Sequence, residues 1–425
     1  MRTIPSDVKA WFGQRLLLRS QRDGIDLSKL SFVPRRWLMP LRRDGLDPVP
    51  QLARTREVAP VKRLARLFGM NIWLVTGHTE TQAVLADRTR YSNDIRPLVG
   101  EVGASDGDIG GLGFTDPPEH TRLRKLLTPE FTMRRLARLT PKIDEIVDHQ
   151  LDVMEAKGPE VDLVADFAFA VPFLVICELL GLPDESRDEF FALGSARFDV
   201  SQGGVGSFGA ISDSRVFLMD ATKAQRDNPG DGLIGKLIEQ VGDEISDYDL
   251  GGLADGVFTG GHETTASTIA LGAMVLMNDG EARRRLIADA TFADAVVEEM
   301  LRYLTVVQIA FPRFAKEDHA LFGRQIRKGD VVVCSLSGSN RDGRTGADLE
   351  SFNPHRDWPV SHVAFGHGFH RCVGAELARM ELRAAYPKLF QRFPNLRMAC
   401  SPAELQFRQR SIVYGVERLP VRLYG

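Results

Sequence analysis

One large, mainly α-helical domain with small β-sheets is the fold class this sequence predicts, on three observations. Apolar residues recur at three- and four-residue spacing through most of the chain beyond residue 46. Strand-like runs are few and lie at both ends of a long helical middle, without the regular βα alternation of a doubly wound sheet. The 425 residues are 43% hydrophobic and 26% charged with a net charge of −3, the balance of an ordinary globular body.

Residues 1–46 stand apart as a basic N-terminal extension, with ten Lys or Arg against four Asp and with Trp11 and Trp37 among leucine-rich stretches. Its most basic part, RRWLMPLRRDG, could touch a membrane surface or a partner as an amphipathic arm. An arm laid on the protein's own surface with its charges solvated is the reading we favour. The body then spans 47–425. NIWLVTG (Asn71 to Gly77) reads as a strand. After Asp116–Pro117–Pro118 a helix starts near Pro118 or Glu119, and His120 and Arg124, four apart, share one face of it. Alone this is a solvated basic helix. Joined by Arg313 and His370 it could clamp a ligand bearing carboxylates.

The run Met133 to Ala156 keeps helical spacing, and Pro141 should begin a new helix within it. Ser246 or Asp247 caps a long helix that runs to about Met277, where Asn278–Asp279–Gly280 is a stop signal. Two more helices cover Phe292 to Leu304 and Ala375 to Phe390. Between them, QIRKGDVVVCSL reads as two strands joined at Lys328–Gly329–Asp330.

Three places in this frame ask for chemistry. In the long helix, Gly260 and Gly261 each cost about 1 kcal/mol relative to alanine, and Glu263 and Thr264 follow directly in an otherwise apolar element. The bland account is close helix packing, with Thr264 bonded back to a carbonyl. The sharper one is a locally opened helix with room for a small ligand, where an acid and an alcohol order water and relay protons. Glu299 and Arg302, three apart on one helical face, are ordinarily a surface ion pair worth well under 1 kcal/mol; a buried pair with a further partner matters more. Last, FGHGFHRCVG (Phe365 to Gly374) sets Cys372 among three glycines and two histidines. A lone cysteine is usually a small apolar side chain. A zinc site would need a second ligand cluster, and Cys177, Cys334 and Cys400 stand alone in unrelated contexts, with no C-x-x-C motif.

Nothing in the charge balance points to nucleic acid. The N-terminus lacks the pattern of a signal peptide, and no apolar run is long enough to span a bilayer. The four scattered cysteines fit a reducing compartment. The expectation is a cytoplasmic protein.

Four separated motifs then agree on one family. FGHGFHRCVG resembles the cysteine-ligand loop of the cytochrome P450 haem-thiolate monooxygenases. GGHETT resembles their oxygen-activating helix, Glu299-x-x-Arg302 their buried structural pair, and DPPEHTRLR the haem-propionate helix of their soluble bacterial members. The motifs occur in the family's order, and weaker likeness runs from DPVPQLAR to RLPVRL, so residues 47–425 would form a single haem domain. The resemblance implies haem b (iron protoporphyrin IX) with Cys372 as axial thiolate. Phe365 would pack against the haem, Gly366 and Gly368 would turn the backbone, and Gly374 would clear space under the porphyrin. Backbone N–H groups and the helix start near Ala375 would favour thiolate over thiol. His120, Arg124, Arg313 and His370 would hold the propionates, Gly260 and Gly261 would border the oxygen pocket, and Glu263 and Thr264 would deliver protons. One departure stands out: the third partner of Glu299–Arg302 falls at Ser351, with His355 or Arg356 as substitutes.

The implied reaction inserts one atom of O2 into a substrate as a hydroxylation or epoxidation, with electrons from a separate ferredoxin and ferredoxin reductase. Arg122, Lys125, Arg134, Arg135 and Arg138 could dock that acidic partner, or could simply form a solvated face. By the same resemblance the substrate wall draws on the loop Ile95 to Leu112, Phe258, Val306, Val307 and Ile309, and Ile412 and Val413. These are mostly apolar, hence a lipophilic small molecule of secondary metabolism. Glycines 100, 103, 107, 110 and 111 would make that loop a lid. The chain would act as a monomer. The rival readings are the same fold catalysing oxidative coupling or another atypical oxidation, a non-catalytic haem-binding protein, and, remotely, a zinc site at Cys372.

Overall fold

The structure is a computed structural model that describes residues 34, 36–67, 69–94, 112–198, 213–357 and 360–424. The body is mainly helical, with four small sheets among the described residues. A five-stranded sheet takes the order β1 (Val61–Leu67), β2 (Met70–Val75), β5 (Val331–Cys334), β4 (Arg313–Ala315), β3 (Tyr91–Ser92). β2 and β5 run parallel, in register from Val331 against Ile72 to Cys334 against Val75, and the other pairings are antiparallel. The turn at Gly329 (φ +84°) does join two strands. They lie in different sheets, however: Arg324–Ile326 pairs with His319–Leu321, not with β5.

Seven helices position the site: α1 (Glu119–Leu127), α2 (Thr140–Lys157), α3 (Ala170–Leu180), α4 (Asp213–Ala224), α5 (Asp247–Asn278), α6 (Ala293–Leu304) and α7 (Ala375–Arg392). Pro141 sits in the first turn of α2, where its missing N–H costs nothing. α5 is the axle of the fold. Ser246 caps it by accepting from the Asp249 N–H at 3.1 Å; α4 packs on its first half, where Gly251 faces Met219, its second half is buried, and α3, α6 and α7 also pack on the helix. α7 crosses α5 at a point that only glycine permits. The buried Tyr386 hydroxyl donates to the Thr268 carbonyl at 2.7 Å, and a Cβ on Gly272 would lie 2.0 Å from that hydroxyl oxygen. The helix that follows Cys372 is thereby fixed against the helix carrying Glu263 and Thr264.

Residues 1–33 lie outside the described residues. Over 36–46 the chain packs on the body: Leu38, Leu41 and Arg43 are buried. Arg43 is not solvated. It donates to Gln308 Oε1 at 3.0 Å and to the Thr305 carbonyl at 2.8 Å, with its guanidinium 4.7 Å from the Tyr414 ring centre. Among the described residues no helix is long and apolar enough to cross a membrane.

Candidate functional site

The cysteine loop takes its shape from backbone that favours glycine. Gly366 and Gly368 adopt φ of +70° and +74°, and a Cβ on Gly368 would strike the Leu85 carbonyl oxygen at 2.6 Å. The Cys372 N–H donates to the Phe365 carbonyl at 2.9 Å, so the backbones of the two residues are tied together. α7 begins at Ala375, three residues on, with its positive end toward the loop. By surface area Cys372 is exposed, yet its sulfur lies deep among protein atoms, and that depth governs its titration. Burial pushes the thiol up; the Gly374 N–H and the guanidiniums of Arg124, Arg371 and Arg379 pull it down without prevailing. The Gly374 N–H thus favours thiolate, the direction the sequence reading expects, but does not by itself offset burial. The charge of a coordinated metal ion would, because a coordinating thiol is deprotonated outright.

The carboxylate-clamp residues do come together. The His120 and His370 rings lie 4.1 Å apart between centres, and His120 and Arg313 are each 3% exposed. Arg313 donates one Nη1 hydrogen to the Phe311 carbonyl. His120 Nε2, Arg313 Nε and His370 Nε2 are buried with no hydrogen-bond partner, an arrangement that costs free energy unless acceptors arrive. Burial, then the charges of His120, Arg313 and Arg124, drive His370 down to about 2. Four cationic or potentially cationic groups gather here, with Asp116 acting on His120 and Arg313 but leaving their buried donors unpartnered, an arrangement that fits the two propionates of a haem. Around Cys372 no second ligand cluster forms: among the described residues no group of three or more His, Cys, Asp or Glu could hold a metal ion. The zinc reading therefore lacks a donor set.

α5 departs from the expectation of a locally opened helix, since it runs unbroken through Gly260–Thr265. Thr264 Oγ1 donates back to the Gly260 carbonyl at 2.8 Å, which supports the helix where the glycines weaken it. Room comes from missing side chains instead. Gly260 is exposed, and a Cβ there would meet nothing within 4 Å, whereas one on Gly261 would touch Ile176 at 3.0 Å. Glu263 does not present a free acid. It accepts from Arg408 Nη1 at 2.8 Å, and Arg408 also lies 3.4 Å from Glu417 and over the Phe169 ring. Burial raises the Glu263 carboxyl and Arg408 opposes that rise. Arg408 was missed from sequence because it lies 145 residues away in RQRSIV, a segment with no motif.

Glu299 and Arg302 are 0% and 1% exposed, a core pair rather than a surface one. Arg302 donates to both Glu299 oxygens at 2.9 and 2.8 Å and to the carbonyls of Asn340, Leu349 and Ser351. Glu299 Oε1 also accepts from the Asn353 N–H, and Arg356 Nε stands 3.5 Å away. Arg356 thus takes the third place and Ser351 supplies only a carbonyl. His355 turns away, stacked on Phe292 with Nδ1 3.1 Å from Arg285.

The expected pocket wall is met unevenly. Segments 306–309 and 411–414 are brought together: Val307 bridges Val413, and Gln308 N–H donates to the Ile412 carbonyl at 2.9 Å. The Gln308 side chain reaches the Ser411 carbonyl at 2.8 Å while accepting from Arg43, which pins this wall to the N-terminal segment. Ile309 pairs toward Ser335, and Val306 is buried. Phe258 is fully buried in an aromatic cluster with Phe173, Phe190 and His262, so it packs the core behind the wall. The lid glycines in 95–111 lie outside the described residues. Of the docking cations, Arg122 is engaged by Glu119 and Asp249, and Arg135 and Arg138 by Glu130; Lys125 and Arg134 are exposed.

A mainly helical body with a glycine-shaped cysteine loop beside buried, unpartnered donors on His120, Arg313 and His370 agrees with the haem-thiolate class. The profile of the cytochrome P450 family matches residues 211–404. Cytochrome P450 165B3 of Amycolatopsis orientalis is 36% identical over 387 residues, 90% of this chain and 97% of that protein. OxyE (CYP165D3), a cytochrome P450 involved in teicoplanin biosynthesis, superposes with a TM-score of 0.82 at 35% identity over 90% of this chain and 99% of its own. OxyB in its complex with the X-domain from teicoplanin biosynthesis gives 0.80 at 38%, covering 90% and 99%. The chain belongs to the cytochrome P450 family and is a monooxygenase, an oxidoreductase whose family carries haem on a cysteine thiolate.

Proposed function

We propose that this enzyme holds haem b through Cys372 and inserts one oxygen atom into a lipophilic small molecule, with electrons from a ferredoxin and its reductase. The observation that carries the reading is the set of orphaned buried donors on His120, Arg313 and His370, the last only two residues from Cys372. Bound there, the haem would supply the redox centre at which dioxygen is activated. In balance, substrate, O2, two electrons and two protons give oxygenated product and one water.

The chain's own groups then have separable tasks. His120, Arg124, Arg313 and His370 bind the propionates and set the ring's orientation. Phe365 packs beside the sulfur. Thr264 commits its proton to Gly260 O, so its oxygen is free to accept from a water placed in the open space by Gly260. Glu263, oriented by Arg408, is the acid that can resupply that water. In an Arg408→Gln variant the counter-charge is gone, and burial and the Glu417 carboxylate act on Glu263 unopposed. Its carboxyl rises, and the limb of the pH–rate profile that reports it moves to higher pH. An unmoved profile would remove Glu263 from the relay.

The apolar residues of 306–309 and 411–413 support a lipophilic substrate. Optical titration of the ferric protein with a polyketide, a terpenoid, a steroid and a fatty acid tests this directly. At least one should shift the haem band toward its high-spin form. A second reading, in which substrate is presented by a partner protein, is favoured by the likeness to an OxyB solved in complex with the X-domain; a panel that shifts nothing would support it over the free lipophile. Oxidative coupling then becomes the reaction to assay.

A further inference from the structure

Beneath the cysteine loop lies a charge cluster that neither the propionate clamp nor the proton relay uses. Arg379, one turn into α7, places its guanidinium 4.8 Å from the centre of the Phe365 ring. It is held there from two sides, donating through Nη2 to Glu298 Oε2 at 3.0 Å and through Nη1 to Glu376 Oε1 at 2.8 Å. Glu298 is also 3.3 Å from His362 Nε2, and the His362 ring stands 6.0 Å from Phe365. The Arg379 side chain is 11% exposed, so it is poorly placed to meet an incoming protein, unlike the exposed Arg371. Phe365 in turn is bonded through its carbonyl to the Cys372 N–H. A fixed cation thus rests on the aromatic ring tied to the sulfur's backbone.

We propose that Arg379, clamped by Glu298 and Glu376, is a positioning residue that holds Phe365 beside Cys372 and sets the electrostatic potential at the thiolate. This rests on the reading of Cys372 as the axial ligand. Reduction of the ferric centre adds one negative charge, which a nearby cation favours and a nearby carboxylate opposes. The cation–π contact orients the ring, and the two-sided clamp prevents the guanidinium from turning to solvent. The sign of the effect follows from charge alone. Removing Arg379 takes away the cation that two carboxylates share, leaving only His362 beside Glu298, and makes reduction harder. Neutralising Glu298 leaves Glu376 as the remaining carboxylate on the guanidinium, so more of the positive charge is felt and reduction becomes easier.

The test is spectroelectrochemical measurement of the ferric/ferrous midpoint on haem-loaded Arg379→Gln, Arg379→Lys, Glu298→Gln and the Arg379→Gln/Glu298→Gln double variant. At a fixed applied potential, Arg379→Gln is expected to lower the ferrous-to-ferric ratio about tenfold, about 59 mV for a one-electron couple. Glu298→Gln should shift it the opposite way, and the double variant should return toward the native value. Arg379→Lys should keep most of the native midpoint. Shifts of the same sign in both single variants would mean disturbed packing and overturn the proposal. An unchanged midpoint with slower reduction by ferredoxin would also overturn it, making Arg379 a docking residue. A native protein whose ferrous–carbonyl spectrum lacks the thiolate signature would sink the underlying ligand assignment, a result distinct from an unmoved midpoint.

Discussion

Changing Cys372 to serine is expected to abolish thiolate ligation and all product formation, while leaving a folded apoprotein. Serine nearly keeps the volume, but its oxygen is a harder ligand that donates less electron density to iron than a thiolate sulfur does. No other cysteine can take over. Burial pushes Cys177 and Cys334 up to about 12, and both are fully enclosed in the core. Cys400 sits beside a short strand near the C-terminal sheet, far along the chain from the glycine loop. The ferrous–carbonyl absorption of the loaded variant reads the outcome. Loss of the thiolate band agrees with the assignment, and its persistence would place the ligand elsewhere.

The second large effect is on stability. Arg302→Met strips buried Glu299 of its two-bond partner, leaving only the Asn353 N–H and Arg356 at 3.5 Å, and takes a donor from three carbonyls. Breaking a buried pair from one side costs about 3–5 kcal/mol. The urea midpoint should fall accordingly, and haem retention with it, because Asn340 belongs to the same network and its Oδ1 accepts from the Val363 N–H just ahead of the cysteine loop. The double variant Glu299→Leu/Arg302→Met should cost less than the sum of the two single changes, since neither member of the bidentate pair is left without the other. A loss under about 1 kcal/mol from Arg302→Met would mean the pair behaves as a surface one.

Much of this was legible in the sequence where the signal is local. Helical spacing gave α2, α5, α6 and α7 to within a residue or two, because each must bury one apolar face. The glycines of FGHGFHRCVG mark positive φ, a property of single residues. The i, i+3 spacing of Glu299 and Arg302 announces a shared face. What sequence could not supply are contacts between distant segments. Arg408 reaches Glu263 from the C-terminal region, Arg356 rather than His355 completes the buried pair, and Glu130 occupies two arginines expected to face a ferredoxin. Phe258 misled for a related reason: an aromatic on a core helix reads the same whether it faces a pocket or packs behind it. The opened helix was expected because two glycines lower helix propensity, yet one threonine back-bond and tertiary packing outweigh roughly 2 kcal/mol of such cost.

The claim on which the account turns is that Thr264 directs protons so that dioxygen ends in product. The measurement is the fate of electrons in Thr264→Ala with a substrate that shifts the native enzyme: NADPH consumed, product formed and hydrogen peroxide released, counted together. The account predicts NADPH consumption within a few-fold of native, with product falling at least about tenfold and peroxide making up the difference. Unchanged product yield per NADPH would contradict it and take Thr264 out of the proton path.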